Sequence, residues 1–383
     1  MNAREAVIVE AVRTPIGRRN GSLKGVHPVD LSALVLKELI HRTGVDPGEV
    51  EDVMWGCVTQ LGDQSSNVGR FAVLAAGWPE TVPAVTINRA CGSSQQALES
   101  AVHGVVAGAY DVVVAGGVES MSRVPLGAAR QFGEPYGQTV FDRYGVDRFD
   151  QGEGAELIAE KWSLSRQMLD EYAARSHELA AAAIDSGAFD DQCVDVVHED
   201  VTLSIDEALR RGTTAEVLAG LKPSFREDGV IHAGNSSQIA DGAAAVLVMT
   251  KEKADQFNLR PMARIVAGSV VGADPVMMLT GPIPATQHVL HRAGLGVADI
   301  GAFEVNEAFA SVPLAWQAEL GAELSRLNPM GGAIAMGHPL GASGAILTTK
   351  LLHHLRDKGL RYGVQTMCEG GGTANATLFE LLD

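Results

Sequence analysis

The sequence is short of basic residues and of long apolar runs, and each shortage excludes a class of protein. Lysine and arginine total 30 against 47 aspartate and glutamate residues, a net charge of −17, whereas a nucleic-acid surface needs a local excess of positive charge. No segment reaches the roughly 18 uncharged apolar residues that a membrane span requires. We therefore expect neither a nucleic-acid partner nor a membrane partner.

An acidic total still permits an anionic ligand if a few basic side chains gather at one mouth of a site. The sequence offers one such group, which we expect to lie together: Arg210, Arg211, Lys222 and Arg226. Small anionic molecules therefore stay within the range of expected ligands.

The four cysteines form neither a metal-binding nor a disulfide pattern. Cys57, Cys91, Cys193 and Cys368 show no CxxC spacing and are too few to cross-link a chain of 383 residues. We expect no metal site, no permanently bound cofactor and a cytoplasmic location. An apolar strand pattern begins at residue 6, so we also expect no signal or transit segment ahead of it.

Apolar strand patterns alternate with helical periodicity, which predicts an α/β fold with a buried sheet. In the first 118 residues the predicted strands are 6–10, 52–57, 83–87 and 111–115, and the predicted helices are about 30–43, 66–76 and 93–108. Residues 240–250 return to the same buried-strand pattern. We assign residues 1–118 together with 240–262 to an N-terminal half.

Residues 119–239 are more polar and interrupt this half, so we predict an inserted lobe with helices at about 154–162 and 166–186. A second α/β half follows over residues 263–383. Its predicted strands are 300–305, 363–368 and 375–381, and its predicted helices are about 307–320 and 341–357. No sequence repeat between the halves is strong enough to prove that they are related.

Cys91 is a candidate nucleophile. It lies in Asn88-Arg-Ala-Cys-Gly-Ser-Ser94, between a predicted strand and a predicted helix for which Ser93 or Ser94 is the candidate cap. The positive end of a helix dipole lowers the pKa of a nearby thiol and increases the thiolate fraction. The alternative is a small buried apolar residue, which is the commoner role for a lone cysteine.

Three loops of the C-terminal half each carry one reactive side chain among small residues. They are Asn306-Glu-Ala-Phe309, Gly337-His-Pro-Leu-Gly-Ala-Ser-Gly344 and Cys368-Glu-Gly-Gly-Gly372. Taken singly, the asparagine could be a helix cap, the histidine a core residue and the cysteine a buried thiol. Together with the Cys91 block, their order and spacing resemble the thiolase family, and the resemblance covers essentially the whole chain.

The thiolase resemblance implies a fold of two similar α-β-α-β-α layered halves with an inserted loop domain that binds coenzyme A. It implies that Cys91 is acylated and that Cys368 is the acid/base. His338 would activate Cys91 and, with a water held by Asn306, polarise the thioester oxygen. A second oxyanion hole is implied at the backbone amides of Cys91 and Gly370.

Coenzyme A is expected as a substrate, and the resemblance implies where the lobe contacts it. Ser237 matches a position that contacts the pantetheine arm, and Arg210 one near the adenine nucleotide. Phe225 and Met278 match residues that line the pantetheine channel, although such residues belong to a core more often than to a channel.

The expected function is that of a 3-ketoacyl-CoA thiolase acting in degradation, such as fatty-acid β-oxidation. Short-chain thiolases commonly carry His-Met-Gly where this chain has Asp150-Gln-Gly152, and this departure resembles degradative thiolases, including those that accept bulky or ring-bearing acyl chains. The alternatives are an acetyl-CoA C-acetyltransferase that makes acetoacetyl-CoA, and a non-catalytic acyl-CoA-binding relative. A decarboxylating ketosynthase would carry a second histidine at the position of Cys368.

A nucleotide-dependent dehydrogenase is excluded because the glycine runs match neither the dinucleotide fingerprint nor a P-loop. The resemblance also implies a homodimer or homotetramer. Residues 120–145 resemble a segment through which some thiolases pair their dimers, and their Gly and Pro content fits a plain surface loop equally well. Whether the protein joins a hydratase–dehydrogenase in a multienzyme complex stays an open question at the level of the sequence.

Overall fold

The computed structural model describes residues 4–382, so residues 1–3 of the first predicted unit and residue 383 of the last lie outside the description. The strands, in chain order, are β1 (Ala6–Arg13), β2 (Gly17–Arg18), β3 (Asp52–Gly56), β4 (Ala84–Ile87), β5 (Val112–Ser120), β6 (Val196–His198), β7 (Val201–Leu203), β8 (Ala240–Thr250), β9 (Ala263–Gly272), β10 (Ala302–Val305), β11 (Tyr362–Glu369) and β12 (Thr373–Leu381).

Helices alternate with these strands. They are α1 (Pro28–Thr43), α2 (Val68–Ala75), α3 (Ser93–Ala107), α4 (Gln138–Tyr144), α5 (Gln151–Lys161), α6 (Arg166–Asp185), α7 (Ala215–Ala219), α8 (Lys251–Gln256), α9 (Pro282–Ala293), α10 (Ser311–Leu320), α11 (Ala333–Met336) and α12 (Leu340–Lys358). Among the described residues, no helix combines the length and apolar character needed to cross a bilayer.

Local sequence sets the ends of α1. The His27 side chain accepts a hydrogen bond from the Val29 amide, and Pro28 occupies the first turn, where a helix needs no amide donor. Gly44 ends the helix with a φ of 67°, a left-handed conformation that glycine adopts without a steric cost.

The main sheet repeats its topology about its centre. Its strand order is β10-β11-β12-β9-β1-β8-β5-β3-β4, and β2 pairs with β8. In the first half β3 runs parallel to β5, and β5 runs antiparallel to β8. In the second half β10 runs parallel to β11, and β11 runs antiparallel to β12. The first strands of the two halves, β1 and β9, meet at the pair Ile8–Ala263.

Helices form three layers around the two halves of the sheet. α3 and α12 pack against each other and contact strands of both halves, while α1 and α2 cover the first half and α9 and α10 cover the second. α12 is buried continuously from Gly341 to His353 because it lies in the central layer. These contacts confirm the prediction of two layered α/β halves.

Between β5 and β8 the chain leaves the main sheet, as predicted for the inserted lobe. This segment contains α4 to α7 and a separate hairpin of β6 and β7. α5 packs against α10 and α6 packs against α11, so the lobe rests on the second half. β8 then enters the sheet between β1 and β5, which confirms the strand predicted over 240–250. The division into three units stays our proposal. β5 extends to Ser120, two residues beyond residue 118, where we placed the end of the first segment of the N-terminal half.

One predicted helix begins at a different residue. The helix predicted near 307–320 begins at Ser311, because Glu307 is held in a loop by hydrogen bonds from the hydroxyls of Tyr172 and Ser176. α9, for which no prediction was made from the sequence, has Pro282 at its first position. Its apolar face is needed to cover β9 and β12.

Candidate active site

A tight turn between β4 and α3 carries Cys91. Ala90 has a φ of 43°, in the left-handed region that costs a non-glycine residue about 1 to 2 kcal/mol. The hydroxyl of Ser93 braces the turn, because it accepts a hydrogen bond from the Arg89 amide (3.0 Å) and donates one to the Ala90 carbonyl (2.6 Å). Cys91 therefore sits at a fixed point just before the helix.

The capping prediction for α3 is wrong. Its N-cap residue is Gly92, and no side chain caps the helix. Ser93 is occupied by the turn, and the Ser94 hydroxyl accepts a hydrogen bond from the Ala345 amide of α12 (2.9 Å). Both hydroxyls satisfy tertiary contacts in place of the helix end.

Two backbone amides act on the sulfur of Cys91. The amides of Gly370 and of Cys91 itself stabilise its thiolate and so lower its pKa. Gly370 lies against the nucleophile turn, because a Cβ at this position would be 3.9 Å from that of Ala90 and 3.3 Å from Nε2 of Gln151. These are the two amides named for an oxyanion hole from sequence.

The expectation of a lowered pKa for Cys91 is wrong. Burial raises the pKa of this thiol to about 12, and the negative charge of Glu369 acts in the same direction, while the two amides lower it. Cys91 is therefore a thiol at neutral pH and needs a base to take its proton.

His338 is the residue predicted to be that base. Its Nδ1 is 2.6 Å from the hydroxyl of Ser343, which itself donates to the Pro339 carbonyl (2.8 Å). Because that hydroxyl proton is committed, Nδ1–H of His338 donates and Nε2 keeps its lone pair. Burial lowers the pKa of His338 to about 4, so the ring is neutral near pH 7.

Asn306 joins the histidine to the second cysteine. Its Nδ2 lies 3.3 Å from Nε2 of His338, and its side chain lowers the pKa of the Cys368 thiol. Burial raises the pKa of Cys368, and the charge of Cys91 raises it further, which places the two sulfurs within electrostatic reach. The structure thus brings Asn306 beside His338 and within electrostatic reach of Cys368, and Cys368 within electrostatic reach of Cys91.

Glu119 links the loop that follows β3 to the first turn of α12. This buried carboxylate accepts hydrogen bonds from the amides of Val58, Thr59 and Gly341 and from the side chain of Gln64, at 2.8 to 3.0 Å. Gly341 lies in the first turn of α12, three residues after the histidine. Glu119 therefore fixes the helix that positions His338 against the N-terminal half.

The residues predicted to bind coenzyme A lie around one side of this centre. Arg210 and Ser237 line the same cavity, of about 590 Å³. Phe225 is 36% exposed and packs edge-on against Phe309, with 5.9 Å between the ring centroids. Met278 is only 2% exposed and belongs to the core cluster that contains Phe309, so the structure gives it a core position.

The prediction that the basic residues of the lobe lie together in one group is wrong. Arg210 and Arg211 line one cavity, whereas Arg226 lines another. Arg211 pairs with Asp185 at 2.6 Å, and Arg226 pairs with Glu153 at 2.7 Å. Local acidic partners separate side chains that lie close in sequence.

Comparison with known proteins identifies the family. The family "Thiolase, N-terminal domain" matches residues 6–252, and "Thiolase, C-terminal domain" matches residues 259–381. The chain belongs to the thiolase family. A steroid 3-ketoacyl-CoA thiolase of Mycobacterium tuberculosis is 48% identical, over 99% of this chain and 94% of that protein. A 3-ketoacyl-CoA thiolase of Bacillus subtilis is 42% identical, over 99% of this chain and 100% of that protein.

A solved thiolase structure agrees over the full length. The crystal structure of the Bacillus anthracis acetyl-CoA acetyltransferase has a TM-score of 0.91 and 42% identity, and the match covers 100% of both chains. In the described part of this thiolase, no group of three or more His, Cys, Asp or Glu side chains is arranged to hold a metal ion.

Ser343 and Glu369 were not predicted from the sequence as residues of the site. Ser343 stands in the same glycine-rich block as His338, and Glu369 directly follows Cys368, so position beside a predicted reactive residue was the available signal for both. Gln151, which belongs to the Asp150-Gln-Gly152 departure noted in the sequence, approaches Gly370 from α5.

Proposed function

We propose that the protein is a 3-ketoacyl-CoA thiolase, an acyltransferase that uses coenzyme A to cleave a 3-ketoacyl-CoA into acetyl-CoA and a shortened acyl-CoA. The observation that carries the proposal is a buried site in which Asn306 lies beside His338 and acts on Cys368, and in which Cys368 lies within electrostatic reach of Cys91. Relatives named 3-ketoacyl-CoA thiolase cover the whole chain. The same four side chains argue against a non-catalytic acyl-CoA-binding protein.

In the first half-reaction, Cys91 forms a thioester with the substrate. The thiol proton moves to Nε2 of His338 as the sulfur attacks the 3-keto carbon, and the bond between C2 and C3 then breaks. Acetyl-CoA leaves as an enolate and takes its proton from Cys368. In the second half-reaction, Cys368 removes the proton of the incoming coenzyme A thiol, and that thiolate attacks the thioester and releases the acyl group from Cys91. The Cys91 thiolate then takes back its proton from Nε2 of His338.

Each charged oxygen has a set of donors in this scheme. The amides of Cys91 and Gly370 stabilise the oxygen of the group attached to Cys91. His338, once it carries the proton at Nε2, stabilises the enolate oxygen of acetyl-CoA together with a water held by Asn306. Loss of one such donor in a dry site typically costs about 3 to 4 kcal/mol of transition-state stabilisation.

Coenzyme A is proposed to reach the cysteines across the lobe. Arg210 would neutralise part of the nucleotide charge at the mouth of the cavity that it shares with Ser237, and Ser237 would hydrogen-bond to the pantetheine arm. Phe225 would form part of the apolar wall beyond them together with Phe309, and Met278 would support that wall from the core cluster that contains Phe309.

The acyl chain is proposed to be longer or bulkier than acetyl. Asp150 serves as the N-cap of α5, and Gln151 extends toward Gly370, where it makes the wall beside the cysteines polar. The relative from Mycobacterium tuberculosis is named for steroid substrates, which favours ring-bearing acyl groups in a degradative pathway. The alternative, acetyl-CoA C-acetyltransferase activity, is favoured by the similarity to the solved Bacillus anthracis acetyl-CoA acetyltransferase.

We further propose a cytoplasmic homodimer or homotetramer acting in acyl-chain degradation such as β-oxidation. The half-exposed edge strand β4, with Val85 turned outward, supports self-association because an unpaired edge readily pairs with another strand. A hydratase–dehydrogenase partner stays a prediction.

Thiolysis measured through the absorbance of the 3-ketoacyl-CoA enolate tests the function. We expect wild-type enzyme to consume a longer or ring-bearing 3-ketoacyl-CoA with a higher kcat/KM than acetoacetyl-CoA, and Cys91→Ala to abolish turnover of both. Cys193→Ala, which removes a thiol outside the site, should keep full activity. A preference for acetoacetyl-CoA would favour the acetyltransferase, and turnover by Cys91→Ala would contradict the assigned nucleophile.

A further inference from the structure

Glu369 is a buried carboxylate at the active site with no role in the scheme above. It directly follows Cys368 as the last residue of β11 and is fully buried. Its Oε2 accepts a hydrogen bond from the Thr373 hydroxyl at 2.6 Å. Its Oε1 finds no hydrogen-bond partner anywhere in residues 4–382. An unsatisfied buried carboxylate oxygen is costly, so this arrangement calls for an explanation.

The unpaired oxygen is packed against the residue that follows the nucleophile. A Cβ placed on Gly92 would lie 2.0 Å from Oε1 of Glu369, so only glycine permits this contact. Gly92 is the N-cap of α3, a helix of 15 residues that has no side-chain cap. The carboxylate thus occupies the positive end of the helix whose dipole would otherwise favour a thiolate at Cys91.

Two charged groups act on Glu369: Arg89 from the nucleophile turn and Glu99 from α3. β12 contributes the uncharged hydroxyl of Thr373. Burial raises the pKa of Glu369 to about 7 and the charge of Glu99 adds to this, while Thr373 and Arg89 lower it. Glu369 therefore changes its charge near neutral pH.

We propose that Glu369 is a positioning residue that acts through Cys91: its charge at the start of α3 controls how readily Cys91 gives up its proton. The ionised carboxylate keeps Cys91 as a thiol, because a second negative charge would have to form beside it without solvent. The protonated form removes this opposition, and the thiol proton then passes more easily to Nε2 of His338. The proposal rests on the proposed role of Cys91 as nucleophile.

Alkylation of Cys91 by iodoacetamide across a pH series tests the proposal without turnover. The extent of reaction is read on the Cys91 peptide by mass spectrometry, so the other three thiols do not interfere. Glu369→Gln keeps the shape and the Thr373 hydrogen bond but removes the charge. We expect its alkylation curve to move to lower pH by about one unit, an increase of about tenfold in rate at neutral pH.

Glu99→Gln is the matched control. It removes a buried carboxylate whose pKa burial also raises to about 7, but Glu99 is not among the charges that act on Cys91. The charge of Glu99 raises the pKa of Glu369, so its loss keeps Glu369 ionised to lower pH, and the alkylation curve should stay at the wild-type position or move to higher pH. An equal displacement to lower pH in Glu99→Gln, or no displacement in a folded Glu369→Gln, would overturn the proposal.

Thr373→Val tests the same idea if Glu369→Gln fails to fold. Loss of the hydroxyl donor raises the pKa of Glu369, so the carboxyl stays neutral to higher pH and alkylation at neutral pH should again be faster. An unchanged rate would count against the proposal. Because alkylation reports on the Cys91 proton alone, retained turnover by Cys91→Ala would refute the proposed function while leaving this result interpretable.

Discussion

The unprotonated state of Nε2 in His338 depends on one hydroxyl. Ser343 commits its own proton to the Pro339 carbonyl, so it can only accept from Nδ1 of the imidazole. Without that acceptor the ring could rotate or adopt the other tautomer, in which Nε2 carries the proton and cannot act as a base. A single buried hydroxyl thereby selects the reactive form of the histidine.

Ser343→Ala should lower kcat by about tenfold to a hundredfold and leave KM for coenzyme A nearly unchanged. The expected loss corresponds to about 1 to 3 kcal/mol, the usual cost of removing one partner of a buried hydrogen bond. Single-turnover acylation of Cys91 gives the rate directly. Thr349→Val is the control, because that buried hydroxyl bonds only to the Ala345 carbonyl of its own helix. Equal losses in both variants would show a general defect of α12.

At the scale of elements, α5 and the segment that carries Phe225 fit together with almost no spare space. A Cβ on Gly152 would lie 2.1 Å from the Phe225 ring, so any larger residue must push the ring away from Phe309. This contact connects the helix that carries Gln151 to the proposed wall of the pantetheine channel. The width of that channel is therefore set by a glycine.

Gly152→Ala should raise KM for coenzyme A by about tenfold with a smaller change in kcat, because the displaced ring would narrow the channel without touching the cysteines. Overpacking of this kind also costs about 1 to 3 kcal/mol of stability. Steady-state thiolysis at varied coenzyme A concentrations measures the effect. The double variant Gly152→Ala with Phe225→Leu should recover part of the loss, and no recovery would place the effect elsewhere.

Elements with strong periodicity could be predicted from the sequence, whereas their tertiary contacts could not. The buried strand over 240–250 and the helix over 166–186 appear almost residue for residue, because their patterns are long and regular. The loop at Glu307 and the uncapped start of α3 were missed because partners distant in sequence decide both. The raised pKa of Cys91 has the same origin, since burial and Glu369 outweigh the helix end.

At the scale of the whole molecule, an ion pair is sealed inside the second half. Nζ of Lys350 on α12 lies 3.3 Å from Oε2 of Glu304 on β10 and donates to the Gly331 carbonyl at 2.8 Å. Both side chains are almost completely buried. Burial raises the pKa of Glu304 to about 7 although Lys350 lowers it.

Lys350→Met should destabilise the protein by about 3 to 5 kcal/mol near pH 8, because it leaves a buried carboxylate without its cation. The raised pKa sets the sign of the pH dependence: below about 7 the folded protein holds Glu304 protonated, so the penalty shrinks as pH falls and grows as pH rises. Urea unfolding at several pH values measures this. Adding Glu304→Gln should restore part of the stability above pH 7, and a penalty independent of pH would contradict this account.

The repeated topology places the reactive residues at matching positions of the two halves. Cys91 stands two residues before α3, and His338 stands two residues before α12, the corresponding helix of the central layer. Cys368 is the penultimate residue of β11, and Glu119 is the penultimate residue of β5. Each half therefore offers the same two locations, one ahead of the central helix and one at the end of the neighbouring strand.

This correspondence has an evolutionary reading. It favours descent from a half-length ancestor whose gene was duplicated and fused, with two identical copies once facing each other across α3 and α12. In this reading the paired locations diverged after fusion, so that the first half carries the proposed nucleophile and a structural carboxylate, and the second half carries the proposed base and proton carrier. A single chain can thus carry different reactive groups at the two matching locations, whereas two identical subunits must carry the same group at both.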